Sequence, residues 1–161
     1  MDFKKRSIKT SVVACIVDEQ QRVLLTRRSI EPFRGQWVMP GGKVDHGETL
    51  LQALHREVRE EVGIEVHIAG LLDVYEHVAL GDNNDHYVII YYRARPLSVD
   101  LLPNHSEVIE AEWVPASRLI AYDMTPGTRH ILAQIYPETL QDPGVPVDEL
   151  FYRNEFGIVY Q

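Results

Sequence analysis

The chain has 161 residues, 45% of them hydrophobic and 25% charged, with a formal net charge of -8. That size and composition fit one globular domain, or a domain with an appendage, able to bury a core without staples. The acidic balance argues against non-specific nucleic-acid binding, no apolar run is long enough to span a bilayer, and the single Cys15 excludes an intrachain disulfide.

Residues 7–17 alternate and then become continuously apolar, which predicts a buried strand with Cys15 as a core thiol. The preceding Met-Asp-Phe-Lys-Lys-Arg carries charge with no apolar region behind it, so no secretory leader is expected, and the cytoplasm is the expected compartment. Residues 18–21 read as a turn and residues 22–27 as a second strand, the expected hairpin partner of the first. Pro32 and Gly35 mark a loop over residues 29–35, and the short apolar Trp37-Val38-Met39 is closed by Pro40-Gly41-Gly42.

A helix follows. Thr49 and Gln52 have capping-box spacing, and Gly63 is placed to end the helix. Leu51, Leu54, Val58 and Val62 recur at helical spacing and mark the expected core face. At about 100° per residue, Glu57 and Glu61 lie beside that stripe, while Glu60 points further round.

Residues 64–80 predict one or two strands with Gly70 at a bulge or bend, followed by a polar turn over residues 81–85. Residues 86–94 form a strong strand, rich in β-branched and aromatic side chains. A loop over residues 96–106, a shorter strand over 108–114 and one helical turn over 115–120 come next. A last helix starts with Pro126 at its first position and runs to about Leu140. The expected organisation is one domain over residues 1–140, with a tail over 141–161 that packs on it or on a second subunit. The fold class is α+β: an α/β/α sandwich with a mixed, mostly antiparallel sheet, the glutamate-bearing helix on one face and the last helix on the other.

Glu57, Glu60 and Glu61 sit at i, i+3 and i+4, so three like charges crowd one side of a helix. An isolated Arg-Glu-x-x-Glu-Glu would read as a solvated acidic face. Here it belongs to a longer pattern. Residues 42–64 resemble the Nudix box, Gly-x5-Glu-x7-Arg-Glu-U-x-Glu-Glu-x-Gly-U with U aliphatic, and every defined position matches: Gly42, Glu48, Arg56, Glu57, Val58, Glu60, Glu61, Gly63 and Ile64. The upstream Gly35, Trp37, Pro40 and Gly41 and the downstream Glu107-x5-Trp113 extend the resemblance over most of the first 115 residues.

The resemblance implies hydrolysis of a nucleoside diphosphate linked to another moiety. It also implies metal binding by Glu57, Glu60, Glu61 and the Gly41 carbonyl, with Glu48 and Arg56 bracing the site. Hard cations such as Mg²⁺ or Mn²⁺, more than one per site once substrate binds, would mask the charge of a diphosphate and make a water more acidic. The general base is open between a box glutamate, Glu60 foremost, and Glu107, with Glu110 and Glu112 as rivals. Arg27 or Arg28 is expected on a substrate phosphate, or either is an exposed strand-end cation. Trp37 either stacks on a base or packs beneath the box loop. Of the seven histidines, only His86 in Asp-His-Tyr stands out.

Residues 31–42 resemble the ADP-ribose and nucleotide-sugar hydrolases of the family, although a proline common past the box in ADP-ribose enzymes is replaced near Ala79 and Leu80. The strand 86–90 is similar to one in GDP-mannose hydrolases. Those lack a box glutamate that is retained here, which favours P–O–P cleavage. The leading expectation is a nucleoside-diphosphate-sugar pyrophosphohydrolase on a small nucleotide, with no nucleic-acid or membrane partner and with a homodimer as the assembly. The alternatives are an enzyme that removes oxidised nucleoside triphosphates and a non-catalytic nucleotide-binding module.

Overall fold

Along Lys9–Ile16 (β1) both faces are apolar: Val12, Ala14 and Ile16 face one way, and Val13 and Cys15 the other. A strand of this kind needs cover on both sides. In the computed structural model, which describes residues 7–78 and 85–140, it has that cover. The remaining elements are β2 (Arg22–Arg28), β3 (Trp37–Val38), β4 (Gly41–Lys43), α1 (Leu50–Val62), β5 (Val66–Val78), β6 (His86–Pro96), β7 (Val108–Pro115), a 3-10 helix (Ala116–Ala121) and α2 (Pro126–Ile135). They make a four-stranded sheet in the order β4-β1-β6-β5 and a three-stranded sheet in the order β3-β2-β7. The β1–β6 pair is parallel and the others are antiparallel.

Two cores follow from the alternation. Val12, Ala14, Ile16 and Leu24 pack with Ala53, Leu54, Val58 and Val62 of α1. Cys15, Val23 and Leu25 pack with Ile131, Leu132 and Ala133 of α2. The expected α/β/α sandwich is therefore the architecture, and Cys15 is a buried thiol. Among the described residues, no helix is long and apolar enough to cross a membrane. The tail 141–161, the residues around Ala79 and Leu80, and most of the 81–85 turn lie outside the described residues.

Three local expectations are corrected. β1 and β2 are not hairpin partners: they belong to different sheets, and just past β1 an isolated antiparallel bridge joins Val17 to Val23. The Asp18 carboxylate accepts from the Gln20 and Arg22 amides and Gln21 turns at φ 60°, which swings β2 out of the first sheet. On α1, Leu51 is 45% exposed instead of buried. The buried face is two adjacent i+4 rows, Leu54-Val58-Val62 and Ala53-Glu57-Glu61, and Leu51 lies on neither. Finally, α2 stops at Ile135 instead of reaching Leu140, because Tyr136 precedes Pro137 and the proline ring disfavours helical backbone at that position.

Candidate active site

Both ends of α1 are fixed locally. The Thr49 hydroxyl accepts from the Gln52 amide at 3.1 Å, and the Gln52 side chain accepts from the Thr49 amide at 2.9 Å. At the other end Gly63 adopts the left-handed region at φ 71° and donates to the Arg59 carbonyl. The register so fixed turns Glu57 and Glu61 inward, to 8% and 6% exposure.

β4 lies against them, and its glycines are required by space. A Cβ on Gly42 would fall 2.4–2.6 Å from the atoms of the Glu57 carboxyl group, and one on Gly41 would fall 2.1 Å from the Val12 carbonyl oxygen. The Gly41 amide donates to Glu61 Oε2 at 3.1 Å. Arg56 holds the outer side. It donates to Glu48 Oε2 and Oε1 and to Glu57 Oε1, each at 2.8 Å, to Glu60 Oε2 at 3.2 Å and to the Lys43 carbonyl at 3.1 Å.

The third carboxylate comes from far along the chain. The Asn104 side-chain oxygen accepts from the amides of Ser106, Glu107 and Val108, and the Ser29 amide donates to the Glu107 carbonyl at 2.9 Å. This turn sets Glu107 beside α1, so that one carboxylate oxygen each of Glu57, Glu61 and Glu107 lies within 4.8 Å of the others. Asn104 was missed in the sequence. Its only signal was a side chain of the kind that caps turns, a few residues before the strand.

Burial raises the Glu61 carboxyl to about 8; the Glu57 charge and, more weakly, Glu107 add to this, against the Gly41 amide and Arg28. Burial also raises Glu57, with Arg56 opposing. Arg56 holds the Glu48 carboxyl down to about 2. Three crowded carboxylates, two of them resisting ionisation, are an environment short of positive charge. Hard oxygen donors of this kind fit Mg²⁺ or Mn²⁺, and Glu57, Glu61 and Glu107 are the residues that would hold the ion, with Gly41 on the same wall.

The other expected residues are sorted by the same geometry. Glu60 stands outside the cluster, its side chain 57% exposed and paired with Arg56. Glu110 pairs with Arg27 at 2.6 Å, and Glu112 accepts from the Tyr122 hydroxyl at 2.5 Å. Of the three late glutamates, only Glu107 joins the cluster. Arg28 lines the cavity in front of the carboxylates and Arg27 does not, since successive strand residues face opposite ways. Trp37 packs its ring edge-on to Tyr122, 5.0 Å between centroids, and is absent from the cavity lining. His86 sits 3.3 Å from Glu76, also off that lining.

The cavity has a volume of about 370 Å³ and is lined by Glu57, Glu61, Glu107 and Arg28, and also by Lys43, Phe33, His77 and Tyr87. Sequence reasoning did not single out these last four. Phe33 lies in the loop before β3, and His77 and Tyr87 become neighbours only through the β5–β6 register.

Comparison with known proteins agrees with this geometry. The NUDIX domain family profile matches residues 8–135. The 8-oxo-dGDP phosphatase NUDT18 of Homo sapiens is 31% identical over 118 residues, covering 71% of this chain but only 35% of that protein. The ADP-ribose pyrophosphatase of Methanocaldococcus jannaschii is 40% identical over 81 residues, 45% of this chain and 48% of that protein. Among solved structures, the MutT NUDIX hydrolase from Burkholderia pseudomallei superposes with a TM-score of 0.73 at 32% identity, over 81% of this chain and 99% of that one. With its box intact, its carboxylates gathered in one cavity and its fold shared, the chain belongs to the Nudix hydrolase family.

Proposed function

We propose that the protein hydrolyses the pyrophosphate bond of a nucleoside diphosphate linked to another moiety, foremost a nucleoside diphosphate sugar such as ADP-ribose, giving nucleoside monophosphate and sugar phosphate. The observation that carries this reading is the Glu57–Glu61–Glu107 cluster sharing one cavity with Arg28. What a bound Mg²⁺ or Mn²⁺ supplies there is Lewis acidity and charge neutralisation at the diphosphate. The chain's own residues do the rest. Arg28 and Lys43 draw the phosphates in. Arg56 holds Glu57 in place, with Glu48 and Glu60 gripping Arg56 from outside. Glu107 is the carboxylate we assign to take the proton from the attacking water: it is the exposed member of the cluster, where a water has access.

The similarity to an ADP-ribose pyrophosphatase supports a sugar-linked substrate. The similarity to an 8-oxo-dGDP phosphatase supports a second reading, removal of oxidised nucleotides. A panel of nucleoside diphosphate sugars and of oxidised nucleoside di- and triphosphates, incubated with Mg²⁺ or Mn²⁺ and resolved by chromatography, separates the two. Monophosphate plus sugar phosphate is the expected pattern; monophosphate plus pyrophosphate from an oxidised triphosphate, or monophosphate plus orthophosphate from an oxidised diphosphate, would favour the second. No turnover of any member of the panel would overturn both. We place the protein in the cytoplasm, in keeping with its free thiol, and expect a homodimer, for which exposed Leu71 and Val74 on the edge strand β5 offer a surface.

A further inference from the structure

Besides the carboxylates, three rings line the cavity. Phe33 and His77 meet edge to face with centroids 5.6 Å apart at 72°, and His77 and Tyr87 lie 6.5 Å apart at 41°. His77 and Tyr87 are register partners at one end of the β5–β6 pair. Lys9 fixes Tyr87 from β1, its ammonium 5.1 Å from the ring centroid and paired with Asp85 at 3.1 Å.

Two features mark these rings as more than packing. Among the described residues, Phe33 and Tyr87 belong to neither hydrophobic core cluster, although large aromatic side chains ordinarily do. Phe33 also holds its backbone at φ 66°, a left-handed conformation costly for an aromatic residue and found where surrounding structure enforces it. The enforcement is visible. The Gly35 amide donates to the Arg28 carbonyl at 2.8 Å, the Gln36 amide to the Phe33 carbonyl at 3.1 Å, and Arg28 Nε to the Pro32 carbonyl at 2.7 Å. Arg28, which lines the cavity with the carboxylates, therefore also ties down the loop that carries Phe33.

We infer that Phe33, His77 and Tyr87 form the subsite for the base of the nucleotide, and that they take a purine by stacking. This rests on the reading of the cavity as a nucleotide site. The lining is complementary to one molecule: Arg28 and the cations the carboxylates would hold suit an anionic diphosphate, and the rings suit a planar base. Stacking on rings favours the larger face of a purine over a pyrimidine and tolerates changes at the base edge. Trp37, packed against Tyr122, takes no part.

The test is binding by the full chain, with Mg²⁺ present, of AMP, GMP, CMP, UMP and ribose 5-phosphate, measured calorimetrically. AMP and GMP are expected to bind about tenfold or more tightly than ribose 5-phosphate. Phe33→Ala and Tyr87→Ala should each remove most of that ratio while leaving ribose 5-phosphate binding unchanged, and Tyr87→Phe should keep it. In turnover, Phe33→Ala should raise KM with little change in kcat. Equal affinity for AMP and ribose 5-phosphate in the unaltered protein would overturn the subsite, whatever the variants do. CMP and UMP binding as tightly as AMP would overturn the purine assignment. AMP has no anhydride, so the outcomes separate: a protein that binds AMP but cleaves no diphosphate refutes the enzymatic reading alone, and one that cleaves diphosphates without regard to the base refutes this one alone.

Discussion

In one part of the cavity lining, Gly41, Gly42, Glu57 and Glu61 come from a single continuous stretch, in which Gly41 hydrogen-bonds Glu61, Arg56 hydrogen-bonds Glu57 and Gly42 leaves room for the Glu57 carboxyl group. Elsewhere in the lining, Phe33, His77 and Tyr87 come from a loop and from two strands paired at a sheet edge. The first part concentrates charge that burial makes costly, so its members need close bracing. The second makes ring contacts, which demand less exact placement. The chemical step and the choice of substrate are thus separable in this fold: one part can vary while the other stays.

The sharpest way to break this comparison lies within the box itself. Glu61→Gln is expected to lower kcat by about 100- to 10,000-fold. Glu60→Gln, outside the cluster, should cost about tenfold or less. Steady-state kinetics at saturating Mg²⁺ checks both, and equal losses would mean that the exposed position of Glu60 misrepresents its role. Next is Gly42→Ala. The atoms nearest its new Cβ are the far end of the Glu57 side chain, so the protein should fold, yet the displaced carboxylate should cost about 100-fold in kcat. A normal melting temperature with reduced activity is the expected pair of results.

Arg56→Lys keeps the charge and loses the planar fork that reaches Glu48, Glu57 and Glu60 together. About a 10- to 100-fold loss of activity is expected, with weaker apparent Mg²⁺ affinity in a metal titration. The smallest effect concerns stability. The Glu48 carboxyl lies at about 2 in the folded protein, below its ordinary 4.5, because Arg56 hydrogen-bonds it. A group lowered on folding stabilises the fold above its unfolded value, and that contribution is lost as pH falls from about 4.5 towards 2. Glu48→Gln should therefore melt below the unaltered protein at pH 7, and the gap should shrink at pH 3. A gap of constant size would show that packing, not the ion pair, is what Glu48 contributes.

Much of the first part of the lining was legible in the residues. The capping pair Thr49 and Gln52, the αL Gly63 and the inward lean of Glu57 and Glu61 depend on interactions a few residues apart, which spacing reports directly. Leu51 misled because two apolar side chains stand together at residues 50 and 51, and periodicity alone did not say which i+4 row meets the sheet. The β1–β2 hairpin failed for a related reason. Adjacent apolar strands joined by a short turn look like partners, yet the Asp18 turn and the need to cover both faces of β1 sent β2 to another sheet.

Residues 42–64 determined the helix, its caps, the paired inward carboxylates and the glycine cradle, because each is a local consequence of chain geometry. Only the tertiary structure decided that Glu107 and not Glu110 or Glu112 completes the cluster, that Arg28 and not Arg27 shares its cavity, and that Phe33, His77 and Tyr87 come together in the lining. Those outcomes depend on sheet register, on the Asn104 turn and on which strands become neighbours. They are set by contacts between segments far apart in the chain, which no local spacing encodes.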